Sequence, residues 1–187
     1  GNTDNGLKEF NFKNINKTIF LFGGSQGSAF LNKAMSKIAE KISGAGIQIL
    51  WQTGDAEYVK YSSMDSESIR IVPFVNNMAD AYAMSDLLVC RSGALTLAEI
   101  TVCGKPSILI PFHHAAGNHQ KKNAEALANS GAAKVINEKS LTSKGLMHTI
   151  MNLIHNKEKL LEMKLASKKL GKPNATNTIV DHILGKS

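Results

Sequence analysis

A run of small and amide residues, GGSQGS at positions 23–28, stands where a short apolar segment gives way to a helical pattern. Its three glycines allow positive φ and a close approach of the backbone to a ligand. The serine and the glutamine add side-chain donors, and the helix that follows would present unpaired N–H groups to an anion. The run has neither the G-x-G-x-x-G fingerprint nor the Gly-Lys-Ser/Thr ending of a P-loop. By itself it therefore fits a plain turn as well as a phosphate site.

A second turn of small residues, Ser92 and Gly93 in RSGALTLAE (91–99), opens another helix after another apolar segment. Glu99 lies early in that helix. An acidic residue at this position could serve only to complement the helix dipole. The alternative is that its carboxylate accepts hydrogen bonds from the two adjacent hydroxyls of a ribose. Two helix N-termini that face one crevice would favour a site for a phosphate and a ribose.

Six short apolar segments alternate with helical patterns along the chain. They are TIFLF (18–22), IQILWQ (47–52), IRIVPF (69–74), DLLVCR (86–91), PSILIPF (106–112) and AAKVI (132–136). Continuous apolar strands that each lead to a helix predict one α/β domain, with a doubly wound parallel six-stranded sheet covered on both faces. Such folds bind ligands at the carboxyl ends of their strands. The unusual stretches follow the first, third, fourth and fifth segments, so we expect them to converge on one crevice.

The composition is that of a globular domain. The chain has 187 residues, of which 43% are hydrophobic, and a formal net charge of +7. This charge suits an anionic ligand, nucleic acid or an anionic membrane surface. The densest basic stretch (156–172) interleaves leucines instead of aromatics, which predicts an amphipathic helix with a solvated lysine face. No nucleic-acid-binding signature is present, so no nucleic-acid partner is predicted. No apolar run is long enough to span a bilayer.

Three stretches together resemble the MurG family of bacterial glycosyltransferases: GGSQGS, the segment 78–112 that contains RSGALTLAE, and NHQKKNAEALANSGAA (118–133). These inverting enzymes move N-acetylglucosamine from UDP-N-acetylglucosamine to lipid-linked muramyl-pentapeptide, which converts lipid I to lipid II in peptidoglycan synthesis. They have two facing Rossmann-like domains, the GT-B architecture. The resemblance implies that residues 17–187 are the Rossmann-like, C-terminal, donor-binding half and that the N-terminal acceptor domain is absent. Residues 1–16 are polar and rich in asparagine, so we expect them to be a linker or an edge.

The resemblance also implies where the UDP-sugar would bind. Gly24, Ser25 and Gln26 of the glycine-rich loop would contact the diphosphate. Val75 would pair with the edge of the uracil through its backbone. The family's general base lies in the N-terminal half, so no catalytic residue is expected in this chain.

The helix after the fourth segment would carry the next contacts. Ala94, Leu95 and Thr96 would line the phosphate and ribose region, and Glu99 would hold the ribose hydroxyls. Arg91 could lie near the diphosphate or could equally be structural.

Two polar residues, His119 and Gln120, stand where the family places side chains against the sugar hydroxyls, often two glutamines. Asn123, one helical turn further on, would order that segment. His113 and His114 raise the question of a metal, but the histidine spacing fits no standard zinc pattern and no Asp-x-Asp motif occurs. We therefore expect no metal and no cofactor. Helix N-termini and backbone donors would neutralise the diphosphate instead.

The chain is accordingly expected to bind the donor but to transfer nothing alone. The lipid-linked acceptor would bind through the absent domain, and the full-length protein would be cytoplasmic, peripheral to the inner face of the bacterial membrane, with an anionic membrane surface as a further partner. The last helical stretch, ATNTIVDHILG (175–185), is expected to be exposed and to favour dimerisation. Two alternatives stay open. One is half of another GT-B enzyme or of a UDP-sugar epimerase, and the other is a non-catalytic UDP-sugar-binding subunit.

Overall fold

Six parallel strands form one sheet in the computed structural model, which describes residues 1–175. They are β1 (Thr18–Phe22), β2 (Gln48–Gln52), β3 (Ile69–Val72), β4 (Leu87–Cys90), β5 (Ser107–Leu109) and β6 (Ala133–Val135). Each strand lies within one of the predicted apolar segments, so the prediction of a doubly wound α/β domain is confirmed. All but the first residue of the expected C-terminal helix, 175–185, lies outside the described residues.

Helices cover both faces of the sheet. They are α1 (Thr3–Glu9), α2 (Ala29–Ser36), α3 (Ala39–Gly44), α4 (Asp55–Tyr61), α5 (Met78–Met84), α6 (Ala94–Cys103), α7 (His119–Asn129), α8 (Ser143–Ile154) and α9 (Lys157–Leu170). Alternate residues of a strand face opposite sides of the sheet. Ile19 and Trp51 therefore pack with α2, α3 and α8 on one face, whereas Phe20 and Leu50 pack with α1, α5 and α6 on the other.

The strand order, β3-β2-β1-β4-β5-β6, reverses its direction of winding between β1 and β4. All neighbouring strands pair in parallel. The helices that follow these two central strands, α2 and α6, lie on opposite faces. Such a reversal opens a crevice at the carboxyl ends of the two strands, which is where ligands of this fold class bind.

The N-terminal segment 1–16, expected to be a linker, is folded onto the domain. Helix α1 packs along α5, and Leu7, Phe10 and Phe12 are buried in the core that contains Phe20. The Asn2 N–H donates to the Asp80 carboxylate at 2.6 Å. We expected a linker because the segment is polar overall, but its packing on the domain depends on only three apolar side chains.

The glycine-rich loop after β1 packs directly on the loop after β2. A Cβ atom at Gly27 would lie 2.0 Å from the Thr53 carbonyl oxygen, and one at Gly54 would lie 2.4 Å from the Gln26 carbonyl oxygen. Both glycines have positive φ, 73° and 82°. No side chain fits between the two backbones, so this contact requires glycine on both sides.

We expect Gly27→Ala to lower the free energy of unfolding by about 3 kcal/mol, because it adds a steric clash to the strain of a left-handed backbone. Gly24→Ala is the matched control. Gly24 also has positive φ, 93°, but an added Cβ there meets no atom within 4 Å, so about 1 kcal/mol of backbone strain is expected alone. Urea denaturation of both variants measures the difference, and equal losses would contradict the proposed contact between the loops.

Candidate functional site

A cavity of about 460 Å³ lies at the carboxyl edge of the sheet. Its walls come from the loops that follow β1, β4, β5 and β6. The convergence predicted for the loops after β1, β4 and β5 is confirmed, whereas the loop after β3 does not line this cavity and the loop after β6 was not predicted to do so. Of the residues implied to bind a donor, Gly24, Thr96 and Gln120 line this cavity. The unusual residues of several separate loops thus form one site.

The glycine-rich loop is held by its own backbone. The Gly27 N–H donates to the Gly24 carbonyl oxygen at 3.0 Å. Ser28 caps α2, since its hydroxyl accepts from a backbone N–H of the first turn at 3.4 Å. Ser25 and Gln26 are exposed at the tip of the loop. The cavity is lined by the glycines of this loop and by Ser28, and not by Ser25 or Gln26, so a ligand there would meet mainly the backbone of the loop.

Gln52 links the glycine-rich loop to the loop after β3. Its Nε2 donates to the Gly24 carbonyl oxygen at 2.9 Å, and its Oε1 accepts from the Val75 N–H at 2.9 Å. Gln52 is buried at the carboxyl end of β2. A base that pairs with the Val75 backbone would have to use the carbonyl oxygen or displace the Gln52 side chain.

Arg91, directly after β4, is buried in the wall of the cavity. Its Nη1 donates to the backbone carbonyl just after β5 at 3.1 Å. Its Nη2 donates to the Ser28 hydroxyl at 3.1 Å and to the Glu138 carboxylate at 2.5 Å. The rings of Phe30 and Phe112 lie 5.8 and 5.3 Å from the guanidinium carbon. Arg91 therefore joins four elements around the cavity, which supports the structural role left open for it.

Glu138 stands in a 3₁₀ turn after β6, and its carboxylate also accepts from the His113 N–H at 2.7 Å. Burial by itself raises the pKa of Glu138, but the hydrogen bonds from Arg91 and from this N–H outweigh it. The pKa of Glu138 consequently lies below its ordinary value. The charges that line the cavity are those of Arg91 and Glu138, and they balance each other.

Helix α6 starts without a side-chain cap. Its N-cap residue is Gly93, which provides no side-chain acceptor for the first N–H groups. Thr96, in the first turn, lines the cavity, whereas Ala94 and Leu95 are exposed. Unpaired N–H groups at a helix start are suited to an anion.

The start of α7 is tied to the same loops. The Ser92 hydroxyl donates to the Gln120 carbonyl oxygen at 2.8 Å, and the Gln120 side-chain oxygen accepts from the Phe112 N–H at 3.0 Å. His119 is the first residue of α7 and is exposed. Asn123 is half-buried one turn further on. Gln120 therefore both lines the cavity and orders the β5–α7 loop.

Glu99 is half-buried on α6, and its Oε2 accepts from the Tyr82 hydroxyl at 2.9 Å. Burial, followed by the contact with Glu99, raises the pKa of Tyr82 well above its ordinary value, so the hydroxyl remains a donor. The other carboxylate oxygen of Glu99 can accept hydrogen bonds from a ligand.

Sequence reasoning missed three residues of this site: Gln52, Tyr82 and Glu138. A polar residue at the end of an apolar strand was a visible signal for Gln52. Tyr82 looked like an ordinary core position, and Glu138 stands in a polar stretch with no motif.

Residues 1–175, which the structure describes, have neither a metal-binding cluster nor a membrane-spanning helix. No group of three or more His, Cys, Asp or Glu side chains is placed there to hold a metal ion. No helix in that part of the chain is long and apolar enough to cross a membrane.

The sequence matches one protein family over most of its length. The profile of the glycosyltransferase family 28 C-terminal domain matches residues 18–179. Curated relatives named UDP-N-acetylglucosamine–N-acetylmuramyl-(pentapeptide) pyrophosphoryl-undecaprenol N-acetylglucosamine transferase occur in Chlorobium phaeobacteroides and Desulfitobacterium hafniense. The chain is 40% identical to the first over 89% of this chain and 46% of that protein. It is 42% identical to the second over 87% of this chain and 47% of that protein.

Solved structures share the fold. The crystal structure of MurG from Acinetobacter baumannii matches with a TM-score of 0.83 and 29% identity, and the match covers 96% of this chain and 53% of that chain. MnaA from S. aureus, solved with UDP, matches with a TM-score of 0.71 and 13% identity, over 96% of this chain and 47% of that one. The second likeness concerns the fold alone. The chain spans about half the length of the curated relatives it matches.

Glu138→Gln removes the charge beside Arg91 but keeps an acceptor oxygen. Because the folded-state pKa of Glu138 is depressed below the ordinary 4.5, its ionised form stabilises the fold above that pH. This stabilisation is lost as the pH falls through the folded-state pKa. We expect the variant to lose about 2 kcal/mol of unfolding free energy at neutral pH, and its difference from wild type to shrink as the pH falls below 4.5.

Urea denaturation at neutral and acidic pH measures both values. Glu125→Gln is the control. The Glu125 Oε1 lies 3.7 Å from the Lys121 Nζ on the exposed surface of α7, and exposed ion pairs contribute little to the free energy of unfolding. A Glu138→Gln deficit that stays constant down to acidic pH would contradict the assignment of this ion pair.

Proposed function

The chain belongs to the glycosyltransferase family 28 C-terminal domain family, and we propose that it is the UDP-N-acetylglucosamine-binding half of a peptidoglycan N-acetylglucosaminyltransferase. The full enzyme would transfer N-acetylglucosamine to a lipid-linked muramyl-pentapeptide, as the names of its curated relatives describe. The acceptor would bind to a domain outside this chain. A location on the inner face of the membrane, with its anionic surface as a partner, belongs to the same proposal.

One observation carries the proposal: the glycine-rich loop and the uncapped start of α6 line the same cavity where the sheet reverses its winding. Arg91 is already neutralised by Glu138, so little side-chain charge is left to balance a diphosphate. Backbone N–H groups and the dipoles of α2 and α6 would supply that compensation. The Glu99 carboxylate, on α6, would accept hydrogen bonds from the ribose hydroxyls.

The reaction implied is an inverting transfer. The acceptor hydroxyl attacks the anomeric carbon, the bond from that carbon to the phosphate oxygen breaks, and UDP leaves with the electron pair. The proton of the acceptor hydroxyl passes to a base outside this chain. Negative charge grows on the diphosphate in the transition state, and N–H dipoles already aimed at it can contribute about 3 kcal/mol each. This half would therefore stabilise the leaving group.

Titration with nucleotide sugars tests the donor assignment. UDP-N-acetylglucosamine at about 100 times its dissociation constant should stabilise the fold by roughly 2.7 kcal/mol, which raises the melting temperature by roughly 5 to 10 °C in a chain of this size. ADP-glucose should give no comparable shift, and Glu99→Ala should abolish most of it. Glu162→Ala, an exposed position on α9, should behave like wild type. The proposal fails if no uridine nucleotide shifts the melting temperature.

Transfer activity tests the division of labour between the halves. The purified chain, incubated with UDP-N-acetylglucosamine and a lipid-linked acceptor, should form no product, because neither an acceptor site nor a base is assigned to it. A full-length relative run in parallel shows that the assay detects transfer. Product formed by this chain alone would contradict the proposal that the base lies elsewhere.

A further inference from the structure

The hydroxyl of Tyr82 is the polar end of a ring that the core holds in place. Tyr82 is 2% exposed, and its ring centroid lies 6.1 Å from that of Phe20 and 5.9 Å from that of Phe22. A ring in a close-packed core has little freedom to move. The position of this O–H donor is therefore set by the core of the domain and not by the cavity.

Glu99, which accepts from this hydroxyl, has more freedom of its own. Its side chain has three torsions, and the last of them is broad. It is half-buried, and no Lys or Arg side chain within the described residues forms an ion pair with it. The 2.9 Å bond from Tyr82 to Oε2 is consequently the contact that orients the carboxylate.

The same bond connects two parts of the candidate site. Tyr82 lies on α5, which begins at Met78 just after the loop that carries Val75. Glu99 lies on α6, whose start lines the cavity. The Tyr82–Glu99 hydrogen bond thus links α5, which follows the loop expected to bind the base, to Glu99 on α6, which is expected to contact the ribose.

We propose that Tyr82 is a positioning residue that aims the Glu99 carboxylate at the 2′- and 3′-hydroxyls of a ribose, and that it thereby selects ribonucleotides over 2′-deoxyribonucleotides. The inference rests on the proposed function, since it needs a nucleotide in the cavity. Two adjacent hydroxyls match the acceptors of a fixed carboxylate. A 2′-deoxy ligand leaves one acceptor position desolvated and unpaired, and sites built around such hydrogen bonds reject analogues that lack the hydroxyl.

Calorimetric titration of the chain with UDP and with 2′-deoxy-UDP measures this selectivity. A hydrogen bond to a charged group predicts that the wild type prefers UDP by about tenfold or more. Tyr82→Phe keeps the packed ring and removes only the hydroxyl. We expect it to weaken UDP and leave 2′-deoxy-UDP almost unchanged, so that the preference falls to about threefold or less. Tyr58→Phe should keep the wild-type preference, because Tyr58 is partly buried against the core on the other face of the sheet.

The Glu99→Ala background tests whether Tyr82 acts through Glu99. Glu99→Ala should lose the preference, and adding Tyr82→Phe to it should change the ratio of the two affinities no further. The inference is overturned if Tyr82→Phe keeps the wild-type ratio of the UDP and 2′-deoxy-UDP affinities, or weakens the binding of both ligands equally. The hydroxyl would then have only a structural role. If the wild type binds no UDP, it is the proposed function that fails. The melting temperature of each variant shows that it is folded.

Discussion

Burial of the Arg91 guanidinium is the constraint on which the geometry of the cavity depends. An arginine in a protein keeps its charge and has donors but no acceptor, so a buried one needs acceptors brought to it from its surroundings. The loop after β1 brings the Ser28 hydroxyl, the end of β5 brings a carbonyl oxygen, and the turn after β6 brings Glu138. Moving any of these loops would take a hydrogen-bond acceptor away from the buried guanidinium, and moving the turn after β6 would also leave its charge unpaired. Their positions are therefore coupled through one side chain.

The ion pair between Arg91 and Glu138 also determines which groups of the site could bind an anion. Because Glu138 neutralises Arg91 inside the wall, favourable interaction with a phosphate falls to backbone N–H groups and helix starts. Backbone can approach a ligand closely only where side chains are absent, which is a reason for glycine at position 24, where the loop lines the cavity. Gly27 has a different reason, because its backbone packs directly on the loop after β2. Gln52 restricts the movement of the glycine-rich loop further, because its side-chain amide forms hydrogen bonds with both the loop after β1 and the loop after β3.

Core and site are not separate parts of this domain. Tyr82 belongs to the cluster of buried residues on one face of the sheet, yet its hydroxyl reaches Glu99. A packed core is rigid, and a polar group anchored in it is a fixed reference for a more mobile side chain. The core of the domain thus fixes the position of a side chain at the site, whereas Ser25 and Gln26 of the glycine-rich loop are exposed and do not belong to the core.

Local features of the sequence were sufficient for the strands, the parallel sheet and the convergence of the loops after β1, β4 and β5, because apolar runs and glycine turns act over a few neighbouring residues. Segment 1–16 was predicted to be a linker because its composition is mostly polar. Its three apolar side chains, Leu7, Phe10 and Phe12, are nevertheless buried in the core. The tertiary structure alone decided which polar groups meet. Tyr82 and Glu99 are 17 positions apart, Gln52 and Gly24 are 28, and Arg91 and Glu138 are 47. The order of the strands brings such pairs together, and no local pattern encodes a distance that exists only after the sheet has formed.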